Sequence, residues 1–192
     1  MSKLIGVVDI ETTGFINQGG LIVEIGIVSL DLDTGEVKEV FNSVVKEEGF
    51  SEKHLEKPYG WIFQNSDLTY DEVINAPYLE NLLPQIQEIC DSFELGLTAY
   101  NKAFDFTYLK DRGLNFKELN CIMLRATPIV NLPPNPGFSE PKWPNVEEAW
   151  AFFFPDRPYV EKHRASDDAL HEAEIAYQIH LISKTNRLKE KR

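Results

Sequence analysis

The chain is poor in cysteine. Two thiols, Cys90 and Cys121, in 192 residues cannot supply the bridges on which small exported folds depend, so reduced thiols and a cytoplasmic setting are expected. Long apolar runs are missing too. Nothing approaches the roughly 20 residues that span a bilayer, and the first apolar stretch, Leu4 to Val8, is too short for a signal peptide. No membrane partner is expected. Positive charge is scarce: 19 basic residues against 31 acidic ones leave a net charge of −12. That excludes a long nonspecific duplex-binding surface, which needs many Lys/Arg–phosphate contacts, yet leaves room for a short strand end held by a few bases. No internal repeat and no low-complexity run is present. With 43% hydrophobic residues, the chain can build one sizeable core. We expect a single domain over residues 1–185 and a polar tail over 186–192.

The order of elements is legible in part. Leu4–Ile10 is a mostly apolar run, as in a central strand covered on both faces. Leu21–Leu30 is a second strand, "DLDTGE" (Asp31–Glu36) a turn, and Val37–Lys46 a third strand, which together predict an antiparallel meander. Residues 47–68 show no clean period and read as a long excursion. The spacing Leu79, Leu82, Leu83, Ile86, Ile89, Phe93 predicts an amphipathic helix, kinked or restarted at Pro84. Leu95–Tyr100 is a short strand, and Asn101 caps a helix that stops at Gly113. A fifth strand is expected near Phe116–Met123. Six prolines between Pro128 and Pro144 predict an irregular loop over 128–145. A helix near Val146–Phe154 follows, with Trp143, Trp150 and Phe152–Phe154 as core, then a long helix from Ser166 to Ser183 and a frayed end from Lys184. Three strands followed by alternating helix and strand imply an α/β fold with a mixed five-stranded sheet. In such sheets ligands sit outside the strand ends where the order reverses.

One stretch needs explaining. "VVDIETTGF" (Val7–Phe15) ends a buried strand with Asp9 and Glu11, two apart and therefore on one face. Their repulsion is unfavourable unless a cation or a proton intervenes. Alone, they read equally as exposed acids in a Thr-Thr-Gly turn. Likewise Asn101 and Asp105 in "AYNKAFDFTYL" (Ala99–Leu109) read alone as helix capping, although Phe104, Phe106 and Leu109 imply an enclosed carboxylate. In "KHRASDDAL" (Lys162–Leu170), Asp168 stands in register with Ile175, Ile179 and Ile182 and heads the buried stripe of the last helix. Asp167 falls off that stripe, towards the surface. His163 lies just before the helix. His54, His171 and His180 read as surface or satisfied residues.

Asp9, Glu11, Asp105 and Asp168 would repel one another if left bare at one sheet edge. Hard divalent cations resolve this, because Mg²⁺ takes carboxylate oxygens and keeps positions for phosphate. Two such ions about 4 Å apart suit an in-line phosphoryl displacement. His163 then has a task as proton acceptor, since imidazole titrates near neutrality.

"DIETTGF", "YNKAFD" and "HRASDDA" resemble, in order and spacing, the three motifs of the DEDDh branch of the DnaQ-like 3′-to-5′ exonuclease superfamily. The resemblance runs from about Leu4 to Ile182, and "LTYDEVINAP" (Leu68–Pro77) is similar to that family's connector. It implies a ribonuclease-H-like sheet, three antiparallel strands then two parallel, flanked by helices. It also implies a site. Asp9, Glu11 and Asp168 hold a first Mg²⁺ or Mn²⁺, Asp9 bridges to a second, and Asp105 reaches that one mainly through water. His163 is the general base. Glu11 and the Thr12–Thr13 backbone bind the terminal 3′-OH, with Asn101 and His163 also at the substrate. Phe15 packs against the last base or, equally, into the core.

The implied reaction releases 5′-mononucleotides from single-stranded nucleic acid, DNA slightly before RNA. Exoribonuclease or oligoribonuclease-like activity is the alternative, as is a proofreading or assembly module with a replication or repair partner. Lys162 and Arg164 read either as phosphate attractors or as a solvated turn. Departures from the family pattern are Asn120-Cys121-Ile122-Met123, where many members place Asp-Thr, and the segment "PKWPNVEEAWAFFFPD" (Pro141–Asp156).

Overall fold

The computed structural model describes residues 3–190, with side chains over residues 3–186. The chain begins with strand β1 (Leu4–Thr12) and a 3₁₀ turn over Ile16–Gln18, then runs into β2 (Ile22–Asp31) and β3 (Val37–Val44). The 47–68 excursion is not structureless. It holds a 3₁₀ turn (Glu52–Leu55) and a short helix α1 (Trp61–Asn65), and α2 (Tyr70–Asn75) follows. Phe50, Ile62, Leu68 and Val73 pack with Val23 into a small cluster of their own. The chain continues through α3 (Leu79–Ser92), β4 (Leu97–Thr98), α4 (Lys102–Asp111), α5 (Ile122–Val130), α6 (Val146–Phe153) and α7 (Ala165–Glu190).

The sheet has the order β3-β2-β1-β4, with β1 antiparallel to β2, β2 antiparallel to β3, and β1 parallel to β4. Alternation along β1 sorts its side chains into two layers. Val8 and Ile10 join the core that includes Leu79, Ile86 and Cys90 of α3 and Phe106, Tyr108 and Leu109 of α4. Ile5 and Val7 join the opposite core, with Ile122, Trp150, Ile175 and Ile179 of α5, α6 and α7. Asp9 and Glu11 continue the second set, so they project toward α7.

The expected five-stranded sheet has four strands. Near Phe116–Met123 the chain makes one isolated parallel bridge, Leu97 with Glu118, and four backbone bonds with residues 97–100: Leu97 N–H to the Lys117 carbonyl at 2.8 Å, Leu119 N–H to the Leu97 carbonyl at 2.7 Å, and, as the next helix begins, Ile122 N–H to the Ala99 carbonyl at 3.2 Å and Met123 N–H to the Tyr100 carbonyl at 3.0 Å. β4 is only two residues long, and beyond it the bonding partners are already the first residues of a helix. Ile122 and Ala126 bury themselves on a helix face instead. That helix runs through Pro128 to Val130 before the irregular loop begins.

Other boundaries moved as well. α3 passes through Pro84 as one element, giving up one backbone bond. Asn101 precedes α4 without a side-chain capping bond. The end expected to fray from Lys184 stays helical to Glu190, as its run of good helix formers allows; residues 191–192 lie outside the described residues. Trp150 is core. Trp143 and Phe152 are exposed, the first on the loop before α6, the second off the face made by Val146, Ala149 and Trp150.

One close approach ties the layers together. Gly26 of β2 pairs with Asp9, and a Cβ built on it would lie 2.4 Å from the Ala165 carbonyl carbon and the Ser166 nitrogen. The start of α7 therefore rests on bare backbone beside Asp9. Both cysteines are free and buried. No helix among the described residues is long and apolar enough to cross a membrane.

Candidate active site

Three elements bring the acids to one place. β1 carries Asp9 and Glu11 at its C-terminal end, α4 carries Asp105 in its first turn, and α7 carries Asp168 in its first turn. Asp168 is 1% exposed, and Asp105 and Glu11 are buried. Among the described residues, Glu11, His163 and Asp168 each offer a ligand atom within 4.8 Å of the others'. Asp9 and Asp105 lie outside that trio but within its field: the charges of Glu11 and Asp168 act on Asp9, and that of Asp105 acts on Glu11.

The electrostatics show what the clustering costs. Burial raises the Asp9 carboxyl well above the ordinary carboxylate range, and the charges of Glu172, Glu11, Asp105 and Asp168 raise it further. Glu11 is raised well above its range by burial, then by Asp168, Glu24, Glu161 and Asp105. Burial pushes Asp105 up to about 7, opposed by its own backbone N–H and that of Ile10. Asp168 is raised by burial, while hydrogen bonds from the Tyr159 hydroxyl (2.5 Å) and the Arg164 N–H (3.1 Å) pull the other way.

Each of these groups holds its proton more tightly folded than unfolded. Their stabilising contribution is complete below the unfolded values near pH 4 and is lost as pH rises through the folded values, near 7 for Asp105. Melting temperature measured in EDTA is therefore expected to fall by several degrees between about pH 5 and pH 8. Saturating Mn²⁺ should flatten that slope, because the cation replaces the protons. A slope of the opposite sign in EDTA would mean that the acids do not repel one another.

His163 is held by its surroundings. It is half-buried, and its backbone lies in the left-handed region at φ 53°, a conformation that costs a non-glycine residue about 1–3 kcal/mol. Arg164, expected as a phosphate attractor or a solvated residue, is neither. Its guanidinium holds Glu24 of β2 at 2.9–3.1 Å and Asp67 at 2.8 Å. Glu24 is buried and sits opposite Glu11 in the sheet, so this pair pins the residue after His163 to the strand beside Glu11. Lys162 pairs with Asp167 at 2.9 Å. Asp167 is half-buried, not a surface residue, and one of its oxygens lacks a hydrogen-bond partner.

The remaining expected residues divide. The Thr13 N–H bonds the Leu21 carbonyl at 2.9 Å, and its hydroxyl accepts from the Leu21 N–H at 3.0 Å, so Thr13 belongs to the fold. The Thr12 hydroxyl donates to the Gly14 carbonyl at 3.0 Å, which leaves Thr12 at the strand's end beside Glu11. Phe15 is 62% exposed and meets Phe104 edge to face, an aromatic rim and not core. Asn101 is exposed one turn before Asp105.

Four contributors were not foreseen. Trp61, 54% exposed, sets its ring edge to face on His163 at 4.7 Å between centroids. Tyr159 bonds Asp168 from a proline-flanked loop. Glu161, whose carboxyl burial pushes up to about 7, feels the charge of Asp168 and acts on Glu11. Glu172, 2% exposed, feels Asp105 and Asp168 and acts on Asp9. A signal existed for Glu172 alone: it stands four residues after Asp168, where a buried stripe calls for an apolar side chain.

The donor set fits hard divalent cations. Buried carboxylates that repel one another, and no soft ligand among them, suit Mg²⁺ or Mn²⁺.

The family model RNase_T, described as Exonuclease, matches residues 7–133. A DNA polymerase III of PolC type from Clostridium perfringens is 29% identical over 173 residues, covering 88% of this chain and 11% of that protein. The chain thus spans about a tenth of that relative's length. Among solved structures, the nuclease domain of 3′hExo, a DEDDh family member bound to rAMP, shares 18% identity at a TM-score of 0.66, covering 93% of this chain and 92% of that one. The Mg²⁺- and Mn²⁺-bound form of S. pombe Pop2p shares 13% at a TM-score of 0.63, covering 91% and 82%. With a matched model over most of its length and the buried acids in place, the chain belongs to the RNase_T exonuclease family and has the fold of the DEDDh nucleases.

Proposed function

We propose that this chain is a metal-dependent 3′-to-5′ exonuclease that shortens single-stranded nucleic acid, with DNA ends preferred to RNA ends. The observation that carries the reading is the meeting of Glu11, Asp168 and His163 within 4.8 Å, beside the half-buried Asp9 and the buried Asp105. Asp9, Glu11 and Asp168 would hold one cation, and Asp9 with Asp105 a second. When bound, the ions supply Lewis-acid stabilisation of the charge that develops on the phosphoryl group.

The chain's own residues do the rest. His163 accepts the proton of the attacking water. The water oxygen bonds to the terminal phosphorus as the 3′-oxygen of the shortened strand leaves, and a 5′-mononucleotide is released. Arg164, tied to Glu24 and Asp67, fixes the backbone from which His163 projects. Glu11 and Thr12 receive the terminal 3′-OH. Phe15 and Phe104 offer faces for the last base, since aromatic–base stacking contributes about 1–3 kcal/mol per base without sequence preference.

The polymerase relative supports DNA as substrate and a replication or repair assembly as partner, in the cytoplasmic setting expected from the thiols. The deficit of basic residues supports short ends, or ends delivered by such a partner. The test is parallel digestion of 5′-labelled single-stranded DNA, matched single-stranded RNA, and a duplex with a recessed 3′ end. With Mg²⁺ or Mn²⁺ the single strands should shorten stepwise from the 3′ end, DNA fastest, and EDTA should stop the reaction. Faster RNA shortening would move the preference to RNA. Metal-dependent shortening of none of them would make the chain a nuclease-like binding module.

A further inference from the structure

Glu172 is a charge with no evident structural use. It stands on the inner face of α7, one turn beyond Asp168, in the stripe that continues with Ile175 and Ile179. It is 2% exposed, and its Oε2 has no hydrogen-bond partner. The Tyr100 backbone N–H, at the end of the chain segment that leads from β4 to Asn101, faces the carboxyl and favours its charged form. Among the described residues no ion pair joins Glu172 to a cation, and the Arg164 guanidinium is committed to Glu24 and Asp67. A buried carboxylate left half-satisfied costs several kcal/mol, and an isosteric amide or an alanine at this helix position would avoid that cost.

Its neighbours say which side of the centre it serves. Glu172 is the foremost charge acting on Asp9, and Asp105 is the foremost acting on Glu172. The foremost charges acting on Glu11 are those of Asp168, Glu24, Glu161 and Asp105. The extra acid therefore lies one turn beyond Asp168, on the side of the centre that Asp9 and Asp105 make.

We infer that Glu172 is a fifth carboxylate of the cation centre, holding divalent metal on its Asp9–Asp105 side and tightening the weaker of the two sites. The inference rests on the metal site proposed above. An added negative charge beside a cation site raises affinity for a hard cation, and the orphaned oxygen gains the partner that the protein itself does not provide.

Calorimetric titration of the EDTA-stripped protein with MnCl₂ tests this, comparing the parent with Glu172→Gln, which keeps the volume and removes the charge. The variant should bind the weaker Mn²⁺ about tenfold less tightly, the range over which supporting groups around a metal act, with the tighter site unchanged. Its metal-free form should melt no lower than the parent's, because one of the repelling acids is gone. Equal Mn²⁺ affinity at both sites would overturn the inference and leave the proposed function standing; no Mn²⁺ uptake by the parent would overturn both.

Should Glu172→Gln not fold, manganese anomalous scattering from crystals of the unaltered chain decides the matter. An ion within about 4–5 Å of a Glu172 oxygen, the reach of direct or water-bridged ligation, supports the assignment. Ions bound only beyond that reach overturn it.

Discussion

Asp168→Asn protein is expected to fold and to lose about 10³-fold or more of its metal-dependent cleavage rate, since a ligand to a catalytic cation contributes several kcal/mol at the transition state. Asparagine keeps the volume and an oxygen that can accept from Tyr159. It removes one charge from a group of acids that burial pushes upward, and that charge raises Asp9 and Glu11 further, so metal-free stability should hold or rise. The loss is then chemical and not structural. Two measurements on one preparation separate these: initial rates on a labelled single strand, and a thermal melt in EDTA. A rate within a few-fold of the parent's would remove Asp168 from the site, and with it the reason α7 begins where it does.

His163→Ala should cost about 10²- to 10⁴-fold at neutral pH, the usual contribution of a positioned base. Metal affinity sets the control. His163 lies within ligand distance of Glu11 and Asp168, so a loss caused by weaker cation binding would be recovered by raising Mn²⁺, whereas a loss of proton transfer would not. The residual rate should climb with hydroxide concentration, because solvent base then takes over the task. An unchanged pH–rate profile would assign the base elsewhere, and Glu161, half-buried and pushed up to about 7, would be next to examine. Trp61 on the ring of His163 and the left-handed backbone at φ 53° predict that the imidazole samples few orientations.

The acids were readable because they break rules. Asp9 and Glu11 interrupt an apolar strand at a spacing that gives them one face, and Asp168 heads an apolar helical stripe. Period and burial force such residues inward wherever the fold is α/β. Glu172 breaks the same rule but went unread, since a single acid on a long helix dotted with charge looks like part of its wet side until the packing is seen.

Arg164 was misread for a different reason. Its partners, Glu24 and Asp67, are 140 and 97 residues away in sequence, and no local pattern announces a pair of that range. Tyr159 and Trp61 reach the site from loops, where side-chain direction follows from tertiary contacts and not from a period. The fifth strand failed on competition. Phe116–Met123 carries enough apolar residues for a strand, but β4 offers two residues to pair with, and Ile122 gains more by turning into a helix.

Gly26 gives the arrangement an unexpected point of fragility. A methyl group there would have to share space with the main chain of Ala165 and Ser166, so the whole terminal rod would be levered off the strand. Asp168 would part company from Asp9 by the thickness of that one substituent. A descendant of this sequence could thus keep every acid and its histidine, align faultlessly with its active cousins, and be inert.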